Sequence, residues 1–424
     1  MSINNLLAKL KFLESQIKEA IEEAEDIKGK AELILNETPK TTYFGMFTGS
    51  ATKQTDYNSY PPTGLPVERE NSKAQDEWDE FMQIYEKGEF GLVSPKVNPI
   101  EEQKLSETSE QKLYFICAQP NTKYYAWQLE VMLRNFNEMG ILSNPKYEVH
   151  IVTNIPYGDN LLVESELFKL SQVEKSHTNL IFYYHPDTRT TKHYPSSIRP
   201  NLLKRHFAAH PEIKTFFYHD CDMIFTKKDL DFTPFLQDDI CYGSDVRFYI
   251  GHDYIAGKEH NVLEYMCQIA QIPLRVVRDN EHNCIGAQYL IKNVTADFWE
   301  EVEKISEELF LKITTRNNYI KAQNPQYHEL QIFASDMWAV LWCLWKLGKQ
   351  TVPHKFFDFA WATDTIERYN ECNIYHNAGV TESGHGLFFK GEFQDKVPDK
   401  NLRVNPHSAC SPYYELVKQI MIVK

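Results

Sequence analysis

The 424-residue sequence has no CxxC pair, no apolar run long enough to cross a bilayer and no internal repeat. Its eight cysteines stand alone at positions 117, 221, 241, 267, 284, 343, 372 and 410, several of them inside apolar runs such as LYFICAQP and AVLWCLW. Scattered in this way they read as separate buried thiols, not as zinc ligands or a disulfide framework. A membrane-spanning helix needs about 18 consecutive apolar residues, and none occur. The opening MSINNLLAKLKFLESQ also lacks the apolar core of a signal peptide. The expectation is a cytoplasmic chain with no membrane partner. Positive charge is scarce too, with 45 Lys and Arg against 59 Asp and Glu and a net charge of −14. Wrapping nucleic acid through its phosphates requires a basic surface. That balance speaks against such a protein, although a local basic groove on an acidic body stays open.

Apolar material is plentiful, at 42% hydrophobic and 13% aromatic residues, enough for one large α/β domain or two smaller ones. Residues 1–37 read as one long amphipathic helix. Leu6, Leu13, Ala20, Ile27 and Ile34 recur every seventh residue, as do Leu10, Ile17, Ala24 and Ala31. Together they step by four and three, the seam of a coiled coil, which suggests homo-oligomerisation. A single helix docked on the body is the other reading. Residues 38–110 are polar and rich in turn formers, a linker or irregular extension packed on the body.

The body spans 111–424. KLYFICAQP, YEVHIVTNIP, LIFYYHP and TFFYHDCDMIF read as buried strands, with helices in YYAWQLEVMLRNFNEMGI and IRPNLLKRHFAAHP. Strands whose apolar runs are unbroken by alternation, separated by helices, indicate an α/β fold with a mainly parallel, Rossmann-like sheet flanked by helices. Further on, DDICYGSDVRFYIG and HNCIGAQYLIKN read as strands. TADFWEEVEKISEELFLKI and SDMWAVLWCLWKLGK read as helices. Trp338, Trp342 and Trp345 recur at i, i+4 and i+7, which marks a core face more than a sugar-stacking platform. The stretch NIYHNAGVTESGHGLFFKGEF has the Gly, Asn and His content of a loop near a ligand.

In TFFYHDCDMIF an apolar strand runs into Asp220 and Asp222. Side chains at i and i+2 of an extended chain point to one side, so the two carboxylates form a site for a hard cation. Such a cation can bridge two phosphates and stabilise a departing diphosphate. Alone, DxD is a common pattern and also fits a solvated turn. The flanking Phe216-Phe217-Tyr218 and Met223-Ile224-Phe225 place it instead in a hydrophobic setting, where unpaired charge is costly. Haloacid-dehalogenase-like phosphatases also end a strand in DxD, but with Thr or Val two residues after the second aspartate. Here Met223 and Ile224 follow, late in the domain.

Four segments together resemble the plant hydroxyproline O-arabinosyltransferases and the related peptidyl-serine galactosyltransferases. They are Tyr124-Tyr125-Ala126-Trp127-Gln128, the acidic motif, Ser335-Asp336-Met337-Trp338-Ala339 and Tyr375-His376-Asn377-Ala378-Gly379. The likeness covers about residues 111–395 in the same order, while residues 1–110 have no counterpart and the secretory anchor of those enzymes is missing. It implies a GT-A glycosyltransferase with a UDP-sugar donor and Mn²⁺ or Mg²⁺. The transferred sugar would be arabinose, galactose or glucose, moved with retention to a hydroxyl of a protein or other polymer. A hydroxylated base in DNA is an alternative acceptor, with Lys204, Arg205 and His206 as the candidate basic groove. A catalytically inactive GT-A fold used for binding or assembly is the alternative from another class.

The same resemblance assigns the remaining site residues. Asp220, Asp222 and His376 would hold the metal, with His385 as a substitute for the histidine. Lys390 would contact the diphosphate, Arg199 a phosphate or the nucleobase edge, and Asp245 the sugar hydroxyls. Gln119, Asn121 and Tyr124 follow the first strand, where a GT-A domain grips uracil and ribose. Asp336 would be the catalytic carboxylate, a base in an inverting enzyme or an orienting and charge-stabilising group in a retaining one. The plain reading of Asp336 is a first-turn aspartate on a helix capped by Ser335.

Overall fold

The computed structural model describes residues 112–156, 165–258 and 261–424. The helix read over 1–37, its oligomerisation seam and the extension over 38–110 therefore lie outside the described residues. Within them the chain is a mixed α/β fold built on a mainly parallel sheet. Strands β1 (Leu113–Gln119), β2 (Tyr147–Asn154), β3 (Leu180–His185) and β4 (Thr215–Tyr218) run parallel, in spatial order β3-β2-β1-β4. Helices α1 (Lys123–Glu138), α2 (Glu166–Val173) and α3 (Ile198–Ala209) fall between them in sequence. The sheet continues through β7 (Ile285–Lys292), antiparallel to β4, and ends in β6 (Cys241–Asp245) and β8 (Thr351–Pro353).

Alternation along each strand explains why the apolar runs are unbroken. Phe115, Cys117 and Phe217 pack on one face with Trp127, Leu129 and Phe136 of α1. Ile116, Ala118, Phe216 and Tyr218 pack on the other, against α3, α4 (Val262–Ala270), α5 (Ala296–Gln323) and α6 (Ser335–Lys346). All eight cysteines are buried and unbridged. The three tryptophans of α6 belong to the core, as their spacing predicts: Trp338 donates Nε1–H to the Ile250 carbonyl at 3.0 Å, and Trp345 to Thr351 at 2.8 Å.

Two sequence expectations change in detail. TFFYHDCDMIF is not one strand: β4 stops at Tyr218, and β5 (Met223–Phe225) enters a second sheet of order β5-β10-β9 with β10 (Ile374–His376) and β9 (Phe359–Trp361). The segment read as strand DDICYGSDVRFYIG is extended only over β6, because Arg247–Ile250 turns helical. Gly286 of β7 permits a close approach here. A Cβ on it would lie 2.7 Å from Val246 Cγ2 and 2.8 Å from Met337 Cε, so a side chain there would displace the Val246 side chain and the tip of Met337.

Candidate metal and anion site

The two aspartates lie in the turn where the chain leaves one sheet for the other. His219 anchors that turn to β1 through its backbone N–H on the Ile116 carbonyl, at 3.1 Å. Its ring Nδ1 meets the Asp220 carbonyl at 3.0 Å, and burial pushes the imidazole down to about 4, so it is neutral. Beyond the turn, β10 pairs antiparallel with β5 and sets His376 opposite Met223. The Asn377 N–H donates to the Asp222 carbonyl at 2.9 Å, which closes the register. A side chain 154 positions downstream is thereby delivered to the acidic turn.

The donor atoms of Asp220, Asp222 and His376 lie within 4.8 Å of one another. His376 Nε2 is 3.2 Å from Asp222 Oδ1 and 3.7 Å from Asp220 Oδ2. The ring stacks parallel to that of Trp361 with centroids 6.5 Å apart, which fixes its plane. Two carboxylates and an imidazole suit a divalent cation such as Mn²⁺, which accepts oxygen and nitrogen together. His385 is exposed and has positive φ, apart from this group.

Three further side chains join the cluster. Lys390 contacts Asp222 Oδ2 through its ammonium. Burial alone would raise the Asp222 carboxyl; Lys390 and His376 outweigh it and hold the group well below the usual range. Burial likewise opposes charge on Lys390, but Asp222 keeps its pKa raised. Gln119, at the end of β1, donates to Asp220 Oδ1 at 3.2 Å. Arg199, in the first turn of α3, forks between Asp220 Oδ1 and Asp336 Oδ2. Asp336 is 7% exposed, and burial raises its pKa against the pull of Arg199 and of the Tyr194 hydroxyl. Ser335 does not cap α6: its hydroxyl bonds the Ile332 carbonyl, and Ala334 occupies the cap position.

Other predicted residues stand beside the cluster. Asn121 bridges the ends of β1 and β2, its N–H on Asn154 Oδ1 at 2.7 Å and its amide on the Asn154 carbonyl at 3.1 Å. Tyr124 is buried in α1 against Tyr125 and Trp127, where it packs. Asp245, at the end of β6, pairs with Arg247 at 2.8 Å. Burial, and then the charges of both Asp220 and Asp245, weaken the Tyr249 phenol as an acid. The run Lys204-Arg205-His206 makes no basic groove. Lys204 pairs with Glu303 at 3.0 Å and Glu300 at 3.8 Å, and His206 is fully buried.

Sequence reading missed Tyr194 and Trp361. Tyr194 lies five residues before Arg199 in YPSSIRP, and its hydroxyl is 2.6 Å from Asp336 Oδ1. An aromatic just before a helix carrying a site arginine was the available signal. Arg199 Nε, Asn377 Nδ2 and His376 Nδ1 are buried without a hydrogen-bond partner among the described residues. Unsatisfied donors in a buried site fit an anionic ligand, because leaving them unpaired carries the full desolvation penalty.

No family model matches the chain, and no curated protein does. Among solved structures it is similar to the apo WbbM bifunctional glycosyltransferase, at 10% identity over 68% of this chain and 50% of that one (TM-score 0.37). The chain thus spans about half the length of that protein. It is similar also to the galactosyltransferase LgtC in complex with donor and acceptor sugar analogues, at 11% identity over 73% of this chain and 96% of that one (TM-score 0.33). A glycosyltransferase involved in glycosylation of the major capsid of PBCV-1 resembles it at 11% identity, over 63% and 94% of the two chains (TM-score 0.30). At these scores the likeness is one of outline.

Proposed function

We propose that this chain is a metal-dependent glycosyltransferase that moves a sugar from a UDP-sugar to a hydroxyl acceptor. One observation carries the reading. Asp220, Asp222 and His376 converge from two sheets on one point, with Lys390, Arg199 and Asp336 around it. A bound Mn²⁺ or Mg²⁺ would supply Lewis-acid stabilisation of the departing diphosphate. Lys390 holds a positive charge where the phosphates would lie. Arg199 fixes the separation between the acidic turn and Asp336 and offers its unpaired Nε–H to an anion. The uridine and the choice among arabinose, galactose and glucose rest on the motif resemblance, and the domain boundary at 111 on the buried strand read in KLYFICAQP.

Retention is favoured by the state of Asp336. Both of its oxygens are engaged, one by Arg199 and one by Tyr194, and it is nearly enclosed. A base that deprotonates an acceptor needs an accessible lone pair. Held in this way, the carboxylate is suited to stabilising positive charge at the reacting carbon through its field. DNA is disfavoured as the acceptor because, of Lys204, Arg205 and His206, the first is paired with Glu303 and the last is buried. An inactive scaffold would have no reason to enclose such costly charges. Among the described residues no helix is long and apolar enough to cross a membrane.

The test is hydrolysis of a panel of UDP-sugars without acceptor, with and without Mn²⁺. Turnover of one sugar, abolished by chelation and restored by metal, is the expected result. Absence of both turnover and metal-dependent UDP binding would sink the proposal.

A further inference from the structure

We propose that Tyr194 is a positioning residue that sets the orientation of the Asp336 carboxylate toward the sugar; this rests on the reading of Asp336 as a donor-site group. Tyr194 is 2% exposed and stands in the segment between β3 and α3. Its hydroxyl lies 2.6 Å from Asp336 Oδ1, 2.6 Å from the Phe333 carbonyl and 3.3 Å from the Asp336 N–H. The hydroxyl has one proton and two acceptors at equal distance, and it can accept from the Asp336 N–H. An ionised carboxylate takes that proton in preference to a neutral carbonyl, because charge-assisted hydrogen bonds are the stronger ones. Asp336 is then held at both ends: Oδ1 by Tyr194 and Oδ2 by Arg199.

An anchor is only as good as its own support, and Tyr194 is braced from three sides. Its ring stacks on Phe310 of α5, with centroids 4.8 Å apart. Its N–H donates to Glu307 Oε2 at 3.3 Å, and the Ser197 hydroxyl reaches both the Tyr194 carbonyl, at 2.7 Å, and Glu307. Arg189 spans the same turn. It donates to the carbonyls of Tyr194 at 3.3 Å and Pro195 at 3.2 Å and to Ser197 Oγ at 3.0 Å, while Asp187 grips its other edge at 2.9 and 3.0 Å. The segment is a strut from the sheet to α5, and the Tyr194 hydroxyl links it to Asp336. Orientation of a catalytic group to within a fraction of an ångström is what such supporting bonds supply.

The experiment compares Tyr194→Phe with Tyr184→Phe in the full chain. Tyr184, in β3, donates a longer hydrogen bond to a neutral acceptor, the Leu167 carbonyl at 3.3 Å, away from Asp336. For Tyr194→Phe, kcat of metal-dependent UDP-sugar hydrolysis should fall on the order of tenfold to a hundredfold, with UDP affinity in Mn²⁺ kept within about twofold. Tyr184→Phe should leave both values near those of the unaltered chain. In an Asp336→Asn background Tyr194→Phe should have no further effect on kcat, because the residues act as a unit. An unchanged kcat in Tyr194→Phe alongside an impaired Asp336→Asn overturns the inference, as does an equal loss in the two tyrosine variants. If the unaltered chain neither hydrolyses any UDP-sugar nor binds UDP with metal, the reading of the site fails and takes this inference with it. That failure is recognised by the silence of the parent protein.

Discussion

Arg199 holds Asp336 with one guanidinium nitrogen and Asp220 with the other, tying the first turn of α6 to the acidic turn between β4 and β5. The fork makes the site one electrostatic unit. Asp222 is balanced by Lys390 and His376, and Asp220 and Asp336 share a single guanidinium.

Replacing Arg199 by lysine keeps the charge and removes the fork. One carboxylate must then lose its partner. A hundredfold drop in kcat/KM for donor hydrolysis is expected, on the order of 3 kcal/mol of lost stabilisation. Steady-state kinetics on the lysine variant checks it. A variant within threefold of the parent would mean that the fork is dispensable.

How far the sequence discloses this site follows from the range of the interactions. Strands β1 to β4 and helices α1 and α3 were legible because apolar runs and turn residues act locally. The aspartate pair stood out because charge inside FFYHDCDMIF conflicts with its neighbours. His376 and Lys390 came from motif order, and the histidine's register on Met223 needs the strand pairing. The split of TFFYHDCDMIF between two sheets left no local mark, since β5 forms only by meeting β10 about 150 residues away. Tyr194, Glu307 and Asp336 are likewise joined across more than a hundred positions, where no periodicity links them.

Acid sensitivity should come from a second cluster, on the opposite side of β1 from the α1 core. His150 joins Glu148 at 2.7 Å and His206 at 2.9 Å, and His185 stacks on Tyr183. Lys112 just before β1, Tyr114 of β1, Arg205 of α3, His210 at the cap of α3, and Glu212 also face it. Burial lowers His150 and His206, and with the charges of Arg205 and His210 pushes His185 down to about 4. These rings are neutral in the fold but take protons near 6.5 when unfolded. Their contribution is complete above that pH and is lost as pH falls below it, for His185 down to about 4. His185 alone accounts for roughly 3 kcal/mol across that window. Glu148, held at about 2 by its hydrogen bond to His150, adds its loss only below 4.5. Urea unfolding at pH 7 and pH 4.8 should show the drop, reduced in His185→Gln. An equal drop in that variant would assign the sensitivity elsewhere.

Glu130 of α1 supports the end of the chain. Its buried carboxylate accepts the backbone N–H groups of Met421 at 2.6 Å, Ile422 at 3.1 Å and Val423 at 2.9 Å. Ile420 and Val423 pack in the α1-side core beside it. Glu130→Ala leaves three donors without their acceptor and should cost about 2–4 kcal/mol. Hydrogen exchange of these three amides should rise before that of β1. Unchanged protection would show that the tail is held by its apolar contacts alone.

Lys390 should act in opposite directions on metal and on nucleotide. Its ammonium rests on Asp222 Oδ2, an oxygen that a cation between Asp222, Asp220 and His376 would compete for. With its pKa raised by Asp222 it is charged at any working pH. Lys390→Met removes that competitor, so Mn²⁺ alone should bind roughly tenfold more tightly, the scale of one charge-assisted hydrogen bond. The diphosphate then loses its cationic partner, and UDP in saturating Mn²⁺ should bind roughly tenfold more weakly. Calorimetric titration of Mn²⁺ first and UDP second reads both signs on one sample. A lysine that only solvates the loop after Phe388-Phe389 would change neither, and a lysine that ligates the site indirectly would weaken both.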